Sequence, residues 1–205
     1  MHTMLYYTRK PSLTLGALML LSKLSKVFTQ LQSCTNNQVF NSCCNGCGYS
    51  FTSTDELRNA VDAFRYSTVA ATNKYGIMNC WDVSRITDTS FLFENDETIN
   101  EPIHCWNVSS VTDMSYMFKG ATSFNQPLDM WNVDSVEKME QMFYGATSFN
   151  QTLCEWYQTI WNPRTVVLNM FSDTNCTDEA DPNFVTKKSF CGTCDSEVSF
   201  KDIFH

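Results

Sequence analysis

Three tetrapeptides, Trp81-Asp82-Val83-Ser84, Trp106-Asn107-Val108-Ser109 and Trp131-Asn132-Val133-Asp134, recur at one constant spacing, and Trp156 falls at the next interval. A fixed period of this length means that each unit is too small to bury an apolar face alone and must pack on its neighbours. The likeness runs through the unit. Met114, Met117, Phe118 and Ala121 align with Met139, Met142, Phe143 and Ala146, and Ala-Thr-Ser-Phe-Asn-Gln occurs at both 121 and 146. The unit at 81 has diverged, with Leu92-Phe93 in place of Met117-Phe118. In the last unit Met170-Phe171 falls later than the period assigns to the counterpart of Met142-Phe143, with Asn162-Pro163 where the extra residues lie. Both read as edges.

Two periodicities divide each unit. Met114, Met117, Phe118 and Ala121 follow the i, i+3, i+4, i+7 spacing of one helical face, with Thr112-Asp113 as a cap and Gly120 as a stop. Leu128 to Val133 follows a proline and ends in apolar-polar alternation, which predicts an extended segment. The expected fold is therefore an α/β repeat solenoid with one short strand and one short helix per 25-residue coil, closed by Cys-rich caps. Ser53-Thr54-Asp55-Glu56 has the spacing of a capping box and leads into Leu57, Ala60, Val61 and Phe64 at helical intervals, so a capping helix is expected here. The organisation that follows is a possible signal or targeting segment over 1–33, a Cys-rich stretch over 34–52 and the helix with its lead-in over 53–80. Three repeats over 81–155 and a degenerate fourth repeat with a C-terminal cap over 156–205 complete it.

Ten cysteines in 205 residues are dense for a cytosolic protein and favour an oxidising compartment. The first acidic residue is Asp55, while Arg9, Lys10, Lys23 and Lys26 precede it, and Leu13 to Leu21 form an apolar run behind Arg9-Lys10. That order suits a secretory signal or signal-anchor, and the run is too short to span a bilayer. Any membrane association would come through this segment. The formal charge of −8 argues against a nucleic-acid partner, which requires clustered Lys and Arg.

Residues 106 to 128, from Trp106-Asn107-Val108-Ser109 to Phe124-Asn125-Gln126-Pro127-Leu128, resemble the BspA-type leucine-rich-repeat surface proteins, whose repeat is common in mycoplasma surface lipoproteins and in algal proteins. The likeness covers roughly residues 55 to 176. It implies a leucine-rich-repeat-like architecture, a surface location and an adhesion-like role, and it brings no catalytic residues.

Among the aligned positions, Asn100, Asn125 and Asn150 are expected to form a structural ladder of buried amides, each bonding the turn of its own unit and the next. Trp81, Trp106 and Trp131 read as core, with a carbohydrate platform as the rival reading. Cys80 and Cys105 are one period apart, within disulfide range if units stack at about 4.8 Å, and such a loop is worth about 3.5 kcal/mol in the simple entropic estimate. Cys154, Cys176, Cys191 and Cys194 are the remaining disulfide candidates, with Cys154–Cys176 a possible pair. Cys44-x-x-Cys47 and Cys191-x-x-Cys194 together could supply four thiolates to zinc, but they flank opposite ends of the repeats, so disulfides within each cap are favoured. No metal or cofactor is expected.

His2, His104 and His205 are the only histidines, so no nucleophile–base pair can be assembled, and no phosphate-cradling glycine loop appears. Twelve acidic residues between Trp81 and Glu155 face Arg85, Lys119 and Lys138, without the loop that would fix calcium. Asn107-Val108-Ser109, Asn150-Gln151-Thr152 and Asn175-Cys176-Thr177 satisfy the glycosylation pattern, with Asn150 expected to be too buried for use. The outward positions of the expected helices include Asp113, Ser115, Tyr116 and Lys119, then Lys138, Glu140, Gln141 and Tyr144. Of these, Tyr116, Lys119, Glu140, Gln141 and Tyr144 are the candidate interaction surface. The function expected is a non-enzymatic, secreted or cell-surface protein that binds an extracellular protein or a glycan. The alternatives are a structural envelope or matrix component, and an enzyme with an unrecognised site in the Cys-rich ends.

Overall fold

Ser53 caps the first helix as expected: its Oγ accepts the N–H of Glu56 at 3.2 Å and starts α1, Thr54–Tyr66. Leu57, Ala60 and Val61 are buried, and Phe64 packs edge-on to Trp81. The reciprocal half of the capping box is replaced. Glu56 reaches past Ser53 to accept from the Thr52 N–H at 3.0 Å and from the Tyr49 hydroxyl at 2.6 Å. Ser67 ends α1 in extended backbone and caps α2, Thr68–Tyr75, which stops at Gly76 with φ +78°. A 3-10 turn, Met78–Cys80, leads into the first unit, and a short helix α3, Cys154–Thr159, follows the third.

The computed structural model describes residues 48–159, 165–182 and 191–192, all within one compact unit, Cys43–His205. The proposed targeting segment, Cys44, Cys47, Asn162-Pro163 and Cys194 lie outside the described residues.

The α/β repeat solenoid expected from the periodicity is not what the structure shows. Among the described residues there is no strand, only isolated parallel bridges, and residues 114–121 and their counterparts form turns, not helices. The reason lies in where the amides point. A helix would send the N–H of Phe118 to the carbonyl of Met114, yet it goes to Met142, 2.8 Å away. Its alternate neighbours Tyr116 and Gly120 bond Glu140 and Tyr144 at 2.9 and 2.8 Å, while Met117, Lys119 and Ala121 close four-residue turns onto Met114, Tyr116 and Phe118. Donors are thus split between a local turn and the corresponding segment of the next unit. The backbone follows suit: φ is positive at Tyr116 (62°) and Gly120 (69°), a conformation that no right-handed helix tolerates.

The same pattern recurs from unit to unit. Phe91, Phe93 and Asn95 donate to Ser115, Met117 and Lys119; Gln141, Phe143 and Gly145 donate to Leu168, Met170 and Ser172. Left-handed residues stand at Phe91, Gln141 and Asn169, and again at Asn95, Gly145 and Asp173. The extended half of each unit is equally short of strand pairing, since Trp106 and Val111 turn back onto Ile103 and Val108.

The core matches the sequence reading. Trp81, Trp106, Trp131 and Trp156 are buried with neighbouring rings 6.2 to 6.4 Å apart and near-parallel, and each of the last three indole N–H groups bonds a carbonyl of the preceding segment, at Met78, Ile103 and Leu128. Phe93, Phe118, Phe143 and Phe171 form a second file at 5.4 to 5.6 Å. Burial leaves the tryptophan faces unavailable as a sugar platform.

Direction governs the two ends. Between the turn segments that begin at Thr89, Met114 and Met139 the bonds run from N–H to a carbonyl of the next segment, whereas just before them Thr112, Glu137 and Val166 donate back to Thr87, Thr112 and Glu137. In the turn segment of the first unit the carbonyls of Asp88, Ser90 and Leu92 therefore have no preceding segment to donate to them. α1 supplies donors to them: Thr54 Oγ1 to Asp88 O, Arg58 Nη2 to Ser90 O and Arg65 Nη2 to Leu92 O, each at 3.0 Å. Arg65 also binds Asp96 at 2.8 Å. The last described unit needs the opposite, an acceptor, and Asp181 provides it, taking the N–H of Asn169 at 2.9 Å and of Met170 at 2.8 Å.

Cys176 pairs with Cys191, a separation of 15 residues worth about 3 kcal/mol in the simple loop model. The expected Cys154–Cys176 pair therefore does not form, and Cys191 is unavailable as a zinc thiolate. Cys80, Cys105 and Cys154 are also disulfide-bonded.

Candidate functional site

The turn geometry sends Tyr116, Lys119, Glu140, Gln141 and Tyr144 to one half-exposed flank. Tyr116, at a left-handed position, lies against the ring of Phe91 from the preceding segment, with centroids 4.7 Å apart and planes 4° from parallel. Phe91 is itself left-handed and 49% exposed. The Tyr116 hydroxyl bonds the Glu140 side chain, and that bond holds its ionisation above the usual tyrosine range.

Lys119 occupies the middle of the flank. Its ammonium lies 5.1 Å from the Tyr116 ring centre, 6.0 Å from that of Tyr144 and 3.8 Å from the Glu94 carboxylate. Two aromatic faces and one acid thus hold a cation that belongs to the protein. Gln141 stands beside this group, its N–H bonded to Leu168. The flank unites Tyr116, Lys119, Glu140 and Tyr144 through side-chain contacts. It also holds Phe91 and Glu94, which the sequence reading missed, although their positions one period before Tyr116 and Lys119 signal them.

Two of the expected outward residues behave otherwise. Ser115 is buried, because its N–H bonds Asp113 Oδ1 at 2.9 Å while its carbonyl takes the Phe91 amide. Asp113 is spent on structure, accepting from Lys138 Nζ at 3.2 Å. Burial of Asp113 opposes its ionisation, but the bonds from Ser115 and Lys138 outweigh it and keep the carboxyl below the ordinary range.

The asparagine ladder forms with a change. Asn100 Oδ1 accepts the Asn125 N–H and Asn125 Oδ1 accepts the Asn150 N–H, both at 3.0 Å, and Gln126 and Gln151 reinforce each rung from their Nε2 atoms. These amides are not buried. Ile99, Phe124 and Phe149 turn inward, so the next residue faces out, leaving Asn100 and Asn150 exposed. His104 is half-buried beside Asn79, and burial holds its imidazole below the usual histidine range.

Residues 49–183, which include the flank and both capped ends, match the family model described as Mycoplasma protein of unknown function, DUF285. The chain belongs to this family. The mycoplasma association agrees with the broader part of the sequence resemblance, whereas BspA-type leucine-rich repeats are not what this DUF285 match shows. No curated protein and no solved structure matches the chain. Among the described residues no group of His, Cys, Asp and Glu is placed to hold a metal ion, and no helix is long and apolar enough to cross a membrane.

Proposed function

We propose that this protein is a non-enzymatic, secreted or cell-surface interaction protein whose flank of Phe91, Tyr116, Lys119, Glu140, Gln141 and Tyr144 binds an extracellular protein or a glycan. The Phe91–Tyr116 pair carries the reading. A left-handed conformation costs a non-glycine residue about 1 to 2 kcal/mol, and Asn or Gly would bear it more cheaply. Nevertheless two aromatic rings stand at these positions, and Phe91 is left half in solvent. A flat aromatic face rimmed by Lys119, Glu140 and Gln141 suits the apolar face of a sugar ring or a protein side chain, with polar groups to fix its orientation. The resemblance to BspA-type surface proteins and the bonded cysteines support a location outside the cytosol.

The test begins with the full chain on a glycan and extracellular-protein array. For the ligand found, Tyr116→Ala combined with Glu140→Lys is expected to reduce affinity about 100-fold, the loss of two interface residues worth about 1.4 kcal/mol each. The melting temperature should change by no more than a few degrees. Undiminished affinity in the folded double variant contradicts the assignment of the flank.

A further inference from the structure

Three Asn-x-Ser/Thr triplets are present, and the structure separates them. Asn107 is exposed, and its Oδ1 accepts both the backbone N–H and the hydroxyl of Ser109, at 3.2 and 2.8 Å. The turn is local to residues 107–109 and needs no distant segment to form. Val108 between them is buried, which pins the back of the turn and leaves Asn107 on its outer side. With Oδ1 doubly occupied, Nδ2 faces outward without a partner among the described residues.

The other two triplets lack this arrangement. Asn150 is exposed, contrary to the sequence expectation, but its N–H bonds Asn125 Oδ1 and the Gln151 side chain bonds the same residue, so the triplet is fastened to another segment with no turn of its own. In Asn175-Cys176-Thr177 the middle residue is buried and disulfide-bonded to Cys191. The fold also contains two controls. Asp82–Ser84 and Asn132–Asp134 make the same bond from N–H to Oδ1, at 3.1 and 2.9 Å, but the first lacks the amide nitrogen and the second the hydroxyl.

We infer that Asn107 is an acceptor for N-linked glycan, transferred from a polyprenyl-diphosphate-linked sugar by an oligosaccharyl transferase. Nδ2 forms a bond to the anomeric carbon of the donor, the bond from that carbon to the diphosphate oxygen breaks, the diphosphate leaves with the electron pair, and one Nδ2 proton passes to a base of the transferase. The hydroxyl bonded to Oδ1 polarises the carboxamide and orients Nδ2 outward. The inference rests on the secreted location proposed above.

The experiment is secretion of the full chain from a eukaryotic host, with intact mass before and after an amidase that removes N-glycans and converts the modified Asn to Asp. Peptide mapping should find that conversion at Asn107. Asn107→Gln and Ser109→Ala should each remove one glycan mass, and Asp134→Ser, which completes the triplet at Asn132 in the same turn, should add one. A secreted chain with Asn107 unmodified overturns the inference and leaves the location intact, as does an Asp134→Ser variant that gains nothing. A chain retained in the cytosol with reduced cysteines overturns the location, and the inference falls with it.

Discussion

The two ends of the described structure meet one requirement with opposite chemistry. At the α1 end, carbonyls face outward and are answered by donors, Thr54, Arg58 and Arg65; at the far end, amides face outward and are answered by the carboxylate of Asp181. Nothing about burial or hydrophobicity distinguishes these needs. The difference follows from the one-way course of the bonds between successive turn segments, since an edge with unpaired backbone groups must be covered by partners of the right polarity. A cap for such a chain is therefore specified by hydrogen-bond direction before shape.

An open α1 end would show first in the core beneath it. Phe93 is as fully buried as Phe118, because α1 covers the unit that the sequence reading treats as an edge. Phe93→Ala and Phe118→Ala should each cost about 3 to 5 kcal/mol by denaturant unfolding. A much smaller loss for Phe93 would mean that α1 does not seal its end. Next in size are the caps. Arg65→Met strands the Leu92 carbonyl and the Asp96 carboxylate and should cost about 2 to 3 kcal/mol, and Asp181→Ala, which strands two amides, about 1 to 2. Polarity is the sharper test: Asp181→Lys should be worse than Asp181→Ala, because it sets a donor against donors. If Lys is tolerated better than Ala, the directional account of the far end is wrong.

Several of these features are legible in the sequence, and others are not, for physical reasons. α1, its Ser53 cap and the inward Met, Phe and Trp residues depend on near neighbours or on the repeat period, so spacing alone finds them. The helix expected over Met114 to Ala121 is wrong because its i, i+3, i+4 spacing also suits consecutive turns. The overlooked signal is the column Asn95, Gly120, Gly145 and Asp173, residue types that accept a left-handed backbone, where Gly120 reads as a mere helix stop. A Cβ at Gly120 would lie 2.5 Å from Asn95 Oδ1, so the column is also tight. Arg58, Arg65 and Asp181 escape sequence reasoning because their roles depend on backbone groups 11 to 32 residues away. At the candidate flank, Tyr116, Lys119, Glu140 and Tyr144 are found from the alignment of units, while Phe91 and Glu94 are signalled only by lying one period before Tyr116 and Lys119.

A smaller effect separates the ends by pH. Burial of Asp96 disfavours its charge, but bonds from Arg65 and Thr98 more than compensate and hold its carboxyl below the ordinary range. With the folded value depressed, its contribution is complete above the unfolded aspartate value of about 3.9 and is lost as pH falls through the folded value. Asp96→Asn should therefore flatten the acid limb of a stability-against-pH curve. An unchanged acid limb would remove Asp96 from the account of the α1 end.

The one-way bonding between the turn segments is open to direct measurement by scalar coupling across hydrogen bonds in labelled protein. The predicted couplings join the Tyr116 amide nitrogen to the Glu140 carbonyl carbon and that of Phe118 to Met142, which stand 2.9 and 2.8 Å apart as donor and acceptor oxygen. Couplings from Tyr116 to Thr112 and from Phe118 to Met114, the partners in an α-helix, would contradict the account.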